Sequence, residues 1–201
     1  MFLHRIPNLS EHFLYANDDI FIIKPLTEPH FFKAGRVKTS GFQGGDLDIL
    51  YGHHKVNCYC LVFNKNKEDV IRSGKVLSFS HIVRPYLKSQ NIACFNKYRA
   101  EILDSISYFR EEKNINIYIF DCYAIKNRKN YPKEGIYDLF LSSYTEKSAW
   151  ALMFNDNAAY LNQRKINMLC IQDNSNDMNI YEDTYLINYF STHYPTKSKY
   201  E

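Results

Sequence analysis

The sequence lacks the cysteine pattern of a disulfide-rich or zinc-binding protein. Its five cysteines are odd in number, and no two of them are separated by two residues. Neither a disulfide framework nor a structural zinc site is therefore indicated. We expect reduced, mostly buried thiols in a cytoplasmic protein. The cysteines are Cys58, Cys60, Cys94, Cys122 and Cys170.

Long apolar runs and phosphate-binding loops are also missing. No stretch approaches the roughly 20 apolar residues that cross a bilayer, and the N-terminus has no signal-peptide pattern. We therefore predict no transmembrane segment. Residues 39–45 (TSGFQGG) lack the spacing and the Lys-Ser/Thr ending of a P-loop, so we predict a turn there. The Gly-x-Ser-x-Gly motif of serine hydrolases is absent as well.

The charge is low for a protein that binds nucleic acid. The formal net charge is +3, and Lys and Arg are interspersed with acids along the chain. We therefore predict no nucleic-acid partner. A length of 201 residues with 45% hydrophobic content is typical of one globular domain, which we place over residues 1–201.

An acid pair interrupts the most apolar stretch near the N-terminus. Residues 13–16 are predicted to form a short buried strand that ends at Asn17, Asp18 and Asp19. Acids at the carboxyl edge of an α/β sheet lie where ligands bind, and two carboxylates suit Mg²⁺ or Mn²⁺ together with substrate phosphates. The alternative, which stays open on these residues, is a solvated polar turn.

A second apolar run ends in the same way. Residues 166–171 are predicted to form a strand, followed by Gln172, Asp173 and Asn174. If this strand pairs with residues 13–16, the two groups of acids meet at one edge of the sheet. We predict that pairing, and with it a site for Mg²⁺ and a nucleotide or sugar phosphate.

Apolar spacing predicts helices over residues 91–112, 148–165 and about 177–193. Residues 46–70 and 114–125 fit either a helix or a strand, and we favour helices, the first beginning near Gly52. Pro85 excludes a helix over the residues around it. Residues 28–32 are predicted to form a loop with exposed aromatic side chains.

Three further basic or titratable positions are candidates. His81 lies in a non-helical segment before a proline, where functional histidines are found, although a single histidine is more often structural. Arg110 is predicted at the end of the 91–112 helix, where it either offsets the helix dipole or grips a phosphate. His53 and His54 are adjacent and make a poor metal-binding pair.

Three ordered segments resemble the Stealth family of hexose-1-phosphoryl transferases, which act in capsule and exopolysaccharide synthesis. Residues 3–19 (LHRIPNLSEHFLYANDD) resemble the second region of that family. Residues 80–89 (SHIVRPYLKS), with Phe109 and Arg110, resemble the third. Residues 170–174 (CIQDN) and 194–201 (YPTKSKYE) resemble the fourth, with Gln172 in place of the usual Asn.

The resemblance implies an α/β fold similar to nucleotide-sugar transferases, with a mixed sheet flanked by helices. It also implies a nucleotide-sugar donor, a saccharide acceptor and a divalent cation, Mg²⁺ or Mn²⁺. Asp18 and Asp19 would hold the metal and the donor diphosphate. Asp19, His81 and Arg110 would surround the reacting phosphate, with His81 as the base. We further assign Asn17, Lys88 and Asp173 to cofactor binding.

The family's first region, with its Thr-Trp-Val-Asp/Asn-Gly signature, has no counterpart in this sequence. We therefore expect the chain to correspond to the C-terminal two-thirds of such a protein, incomplete at its N-terminal side. A homo-oligomer or a separate chain would then cover or supply the missing part. The alternatives are a non-catalytic or partner-dependent remnant and, from the acids and His81 alone, a Mg²⁺-dependent phosphoesterase.

Overall fold

The computed structural model describes residues 2–22, 24–39, 41–44, 47, 49–79, 82–131, 137–141, 166–171, 191–192 and 195–196. A short 3₁₀ turn, Leu3–Arg5, comes first. The described helices are α1 (Glu28–Phe31), α2 (Leu50–Phe63), α3 (Lys67–Ser73), α4 (Lys88–Lys97), α5 (Arg99–Asp104) and α6 (Tyr118–Lys126). The described strands are β1 (His12–Tyr15), β2 (Ile20–Ile22), β3 (Phe32–Lys33), β4 (Arg36–Lys38), β5 (Gly41–Gln43), β6 (Leu77–Phe79), β7 (Arg84–Leu87), β8 (Asn130–Tyr131), β9 (Tyr137–Leu141) and β10 (Ile166–Ile171).

The predicted α/β class is confirmed. The chain divides into two compact units, the first made of residues 1–16 and 27–134 and the second of residues 17–26 and 135–201. Within the part of the chain that the structure describes, the strands form four small sheets, in the orders β1-β7, β2-β10-β9, β3-β4-β8 and β5-β6. The assignment of residues 1–201 to one domain stays a prediction.

The core of the first unit lies where α2, α4 and α6 pack together beneath β1 and β7. Cys58, Ile102 and Ile119 are completely buried there, with aromatic rings such as Phe13 and Tyr86 around them. β1 pairs with β7 antiparallel, with Phe13 opposite Tyr86. The strand predicted at residues 13–16 is therefore confirmed within one residue, but its predicted burial holds only for Phe13, since Leu14 and Ala16 are exposed. Pro85 lies in β7 and outside any helix, as expected.

Both ambiguous apolar segments are helical, as we predicted. α2 begins at Leu50, two residues before the expected start, and ends at Asn64 in the left-handed conformation, with a φ of 54°. α6 begins at Tyr118, and the side chain of Asn116 accepts a hydrogen bond from its backbone N–H at 3.0 Å. Their tertiary contact buries apolar residues on several sides of each helix, which explains why neither sequence shows a clean amphipathic period.

Two loop predictions are wrong. Residues 28–32 form α1 and the start of β3, and Phe31 and Phe32 are buried. The helix is started by Thr27, whose side chain and backbone both bond with the His30 ring. The predicted turn at residues 39–45 contains strand β5, which pairs with β6. In both places a tertiary partner stabilises a short element that has little periodicity of its own.

The predicted 91–112 helix is shorter and begins earlier. α4 starts at Lys88, because Glu11 accepts hydrogen bonds from the backbone N–H and hydroxyl of Ser89. α5 ends at Asp104, and the chain beyond it is irregular. Asn114 explains the stop: its side chain accepts from the Glu111 N–H at 2.7 Å and donates to the Ser105 carbonyl, so two backbone groups that a longer helix would use are bonded to this side chain instead.

In the second unit, β10 is the central strand. It runs antiparallel to β2 and parallel to β9. The strand predicted at residues 166–171 is confirmed. Its residues Met168, Leu169 and Cys170 are buried, which explains why they are apolar. The predicted helices at residues 148–165 and 177–193 lie outside the described residues, apart from residues 191–192.

All five cysteines are free thiols, and four of them are buried, as the sequence predicted. Burial raises the pKa of Cys58 to about 12. Burial likewise raises the pKa of Cys122 well above its ordinary value. These thiols remain protonated at neutral pH and act as small apolar groups in the core.

A buried ion pair joins β7 to α6. Arg84 donates to Asp121 Oδ2 at 2.8 Å, and the Tyr86 hydroxyl donates to the same oxygen at 3.0 Å. The guanidinium also lies 4.5 Å from the ring centre of Tyr118. Burial raises the pKa of Asp121, and the charge of Arg84 opposes that rise. This network places a buried ion pair and a buried hydroxyl in the interior of the first unit.

Replacement of Asn66 by Ala should destabilise the first unit. The Asn66 side chain accepts from the Asp69 N–H at 3.0 Å and caps α3. Loss of that cap should lower the free energy of unfolding by about 1 kcal/mol, measured by urea denaturation. Asn66→Asp keeps a capping oxygen and should restore most of the loss. Equal destabilisation by both variants would show that capping is not the cause.

Candidate functional site

The acid pair lies in a tight turn between two strands. β1 ends at Tyr15 and β2 begins at Ile20, and the Ile20 N–H donates to the Asn17 carbonyl at 3.4 Å. Asn17 and Asp19 are half-buried, whereas Asp18 is exposed. The turn alternative is thus correct for the backbone. A turn of this kind still leaves two carboxylates side by side at the end of a sheet.

The turn lies at the carboxyl end of β10. Ile20 is opposite Cys170 in the antiparallel register. The Cys170 thiol donates to Asp19 Oδ2 with an Sγ–Oδ2 distance of 3.4 Å. Burial of a protonated thiol next to this carboxylate fixes Asp19 where β10 ends, and in the sequence Gln172 and Asp173 follow directly after that end.

The predicted pairing of residues 13–16 with Met168–Ile171 is wrong. β1 pairs with β7 in the first unit, and β10 pairs with β9 and with β2, the strand that follows the acids. The pairing was predicted because both apolar runs, residues 13–16 and 166–171, are followed by acids in the sequence. The partner was decided by long-range register, which the sequence does not encode locally. The acids nevertheless lie at the edge where β10 ends.

Two predicted site residues lie outside the described residues. They are His81, the candidate base, and Asp173, assigned to cofactor binding. Their roles stay predictions. Asp18 and Asp19 as metal ligands, and Asn17 as a cofactor-binding residue, stay predictions as well.

Lys88 belongs to the first unit and begins α4. Its Nζ donates to the Leu9 carbonyl at 3.2 Å, and its backbone N–H donates to the Glu11 carbonyl at 2.8 Å. The side chain is half-buried. Lys88 therefore links the N-terminal segment to α4. Its role in cofactor binding stays a prediction.

Arg110 is not at a helix end, so the predicted interaction with a helix dipole is wrong. It lies in the irregular segment after α5, with its guanidinium 5.3 Å from the ring centre of Tyr51 and bonded to the Tyr51 hydroxyl. Both side chains are exposed to solvent. The remaining N–H groups of Arg110 are accessible, as binding of a phosphate requires.

The segment carrying Arg110 is anchored to α2 by side chains that the sequence did not single out for this purpose. His54 Nε2 lies 2.8 Å from the Glu111 carbonyl oxygen. Asn57 Nδ2 donates to the Glu112 carbonyl at 2.6 Å. His53 lies 3.8 Å from the Glu112 carboxylate. The adjacent histidines therefore hold this segment in place, and no local sequence signal connects them with it.

Two carboxylates alone would hold a cation only together with a substrate or water. In the described ranges, no group of three or more His, Cys, Asp or Glu side chains is arranged to hold a metal ion. Mg²⁺ commonly takes one or two carboxylates and completes its shell with water and substrate phosphates. Asp18 and Asp19 could supply two hard oxygen donors to a metal–diphosphate, and their role as metal ligands stays a prediction.

No helix within the described part of the chain has the length and apolarity needed to cross a membrane.

Comparison with known proteins points to one class of relative. The chain is 33% identical over 125 residues to the capsular polysaccharide phosphotransferase fcs1 of Haemophilus influenzae, a match that covers 59% of this chain and 34% of the relative. It is 25% identical over 217 residues to the receptor polysaccharide phosphotransferase WefC of Streptococcus gordonii, which covers 87% and 59%. The chain is similar to polysaccharide phosphotransferases.

A third relative is also a polysaccharide phosphotransferase, and the three matches show how much of each relative this chain covers. The match to the capsular polysaccharide phosphotransferase cps1A of Actinobacillus pleuropneumoniae is 58% identical over 123 residues, covering 57% of this chain and 33% of that protein. No protein-family model matches the chain. The chain spans between 33% and 59% of the length of these three relatives. The prediction that it resembles phosphotransferase enzymes is confirmed, and its assignment to the Stealth family stays a prediction.

Proposed function

We propose that this chain carries out, or forms part of the centre for, transfer of a sugar 1-phosphate from a nucleotide sugar to a saccharide acceptor in capsule or exopolysaccharide synthesis. The observation that carries the proposal is Asp19 at the carboxyl end of β10, next to the Cys170 thiol. The similarity to polysaccharide phosphotransferases supports this choice of reaction.

The reaction breaks one phosphorus–oxygen bond and forms another. An acceptor hydroxyl attacks the β-phosphorus of the nucleotide sugar, the bond to the bridging oxygen breaks, and a nucleoside monophosphate leaves. A divalent cation, when bound, would neutralise charge on the diphosphate. The acceptor hydroxyl must lose a proton, and in our proposal an imidazole nitrogen of His81 takes it.

The remaining residues bind and orient the donor. Asp18 and Asp19 offer carboxylate oxygens to the cation, and Asn17 and Asp173 are proposed to bind the donor beside them. Arg110 would bind a phosphate oxygen through its exposed N–H groups. The attraction between its positive charge and the phosphate would increase as negative charge develops in the transition state. Lys88 is proposed to contribute a further positive charge.

A donor screen tests the proposal. The purified chain is incubated with UDP-, CDP- and GDP-sugars, a saccharide acceptor and either Mg²⁺ or EDTA, and nucleoside monophosphate is measured. We expect release that requires the metal and the acceptor, with a phosphodiester in the product by phosphorus NMR. Release of inorganic phosphate or free sugar phosphate instead would identify a phosphoesterase. Absence of any turnover would contradict activity of this chain.

A further inference from the structure

The β3-β4-β8 sheet of the first unit carries a basic outer face. Phe32 is opposite Val37 in the β3–β4 pairing, and both side chains are buried. Since side chains alternate between the faces of a strand, Lys33, Arg36 and Lys38 share the opposite, outward face. Lys33 and Arg36 are exposed, and Lys38 is half-buried. We call Lys33, Arg36 and Lys38 the basic sheet face.

Tertiary structure adds two more cations next to it. β8 pairs with β4 in parallel, with Lys38 opposite Tyr131. The residues entering β8, Arg128 and Lys129, are exposed, and the Val37 N–H donates to the Lys129 carbonyl at 3.0 Å. Residues 32–39 and 126–131 contain no acid. In the described structure, no ion pair joins any of these five cations to a carboxylate.

Repulsion between neighbouring cations on the basic sheet face destabilises the protein when no anion is bound. Lys33 and Arg36 are directly opposite across a two-residue hairpin, Ala34–Gly35, whose residues have φ angles of 49° and 67°. Like charges in that position repel and destabilise a sheet. Both cations also lie over the Tyr131 ring, at 5.2 and 5.1 Å from its centre, which holds them together. A bound anion would relieve the repulsion.

We propose that the basic sheet face binds the phosphodiester chain of the acceptor polysaccharide. This inference rests on the proposed function. Transfer of a sugar 1-phosphate to a hydroxyl creates a phosphodiester, so an acceptor that already carries such units is a polyanion. Its negative charge complements the positive charge of the basic sheet face. The interaction would hold a long acceptor on the first unit.

A polysaccharide fits this face better than a lipid surface. Within the described ranges, the exposed large apolar side chains include none from residues 32–39 or 126–131. Proteins that lie on membranes usually add apolar side chains that enter the acyl boundary. The curated relatives are moreover named for polysaccharide substrates. We therefore commit to a phosphodiester-linked saccharide and treat anionic vesicles and nucleic acid as competing outcomes.

The binding test compares two triple variants of equal charge change. Lys33→Gln/Arg36→Gln/Lys38→Gln removes the basic sheet face, and Lys65→Gln/Arg72→Gln/Lys75→Gln removes three exposed cations around α3. The probes are a phosphodiester-linked capsular polysaccharide, neutral dextran of the same length, phosphatidylglycerol vesicles and duplex DNA. We expect the first variant to bind the phosphodiester polymer at least about tenfold more weakly than wild type, with a smaller salt dependence.

The control variant should bind nearly as wild type does, and dextran should not bind. Equal weakening by both variants, or tighter binding of vesicles or DNA than of the polymer, would overturn the proposal. Thermal unfolding should show that the first variant is folded, since its three side chains lie on the outward face.

A second measurement separates this inference from the proposed function. With a monosaccharide acceptor, the variant that lacks the basic sheet face should keep wild-type kcat and KM. With the polymeric acceptor, its KM should rise at least about tenfold. A rise in KM with both acceptors would contradict binding of the polymer alone. If the chain transfers to no acceptor, the proposed function fails, whereas the polymer-binding measurement still decides the role of the basic sheet face.

Discussion

Replacement of Asp19 by Asn should lower metal-dependent release of nucleoside monophosphate by about a hundredfold or more, the loss typical when one electrostatic partner of a transition state is removed. Asn has nearly the same shape, so the turn and its Ile20–Asn17 hydrogen bond are retained. What is lost is the negative charge, and with it affinity for the divalent cation. The Mg²⁺ concentration that gives half-maximal rate should therefore rise.

Asp104→Asn is the matched control, because Asp104 is an exposed aspartate at the end of α5 in the first unit. It should leave the rate, Mg²⁺ dependence and thermal stability unchanged. Binding of the nucleotide sugar in the presence of Mg²⁺, measured by calorimetry, gives a readout that does not need turnover. Wild-type Mg²⁺ dependence in the Asp19→Asn variant would remove Asp19 from the site.

Replacement of Arg84 by Met should lower the free energy of unfolding by about 3–5 kcal/mol, because it leaves a buried carboxylate without its cation. Asp121 is 2% exposed, so water cannot take the place of the guanidinium. The only remaining side-chain donor that the structure shows for Asp121 among its described contacts is the Tyr86 hydroxyl. Urea denaturation at neutral pH measures the loss.

Acid should partly rescue the Arg84→Met variant. Without Arg84, burial keeps the pKa of Asp121 above the value of about 3.9 in an unfolded chain. The folded variant then binds a proton that the unfolded chain does not, so its deficit against wild type should shrink as pH falls toward that value. A deficit that is independent of pH would mean that lost packing, and not the unpaired charge, causes the destabilisation.

The triple variant Arg84→Met/Tyr86→Phe/Asp121→Leu provides the matched test of the same network. It removes the polar groups of Arg84, Tyr86 and Asp121 and leaves apolar side chains of similar volume. Its stability should return to within about 1–2 kcal/mol of wild type, since replacement of a whole buried network is often close to neutral. A triple variant as unstable as Arg84→Met would show that the network contributes more than the pairing of its charges.

Much of the local structure follows from the sequence alone. The apolar runs at residues 13–16 and 166–171 were predicted as strands because they are short and end at polar residues, and both lie in strands. α2 and α6 were favoured as helices although their apolar residues also fit strands, and Pro85 stays out of a helix because its ring disfavours that conformation in the residue before it. The scarcity of paired cysteines correctly predicted free, mostly buried thiols.

Only the tertiary structure decided which of these pieces meet. β10 pairs with the strand after the acids rather than the one before them, since register depends on distant partners. The 91–112 helix stops at Asp104 because Asn114 takes up groups beyond it. Lys33, Arg36 and Lys38 lie close together in the sequence, but the hairpin places them on one face and the pairing with β8 brings Arg128 and Lys129 near them. The sequence by itself determined the acid pair, the strands near residues 13–16 and 166–171 and the helices α2 and α6, and long-range pairing determined the short elements and the surface around them.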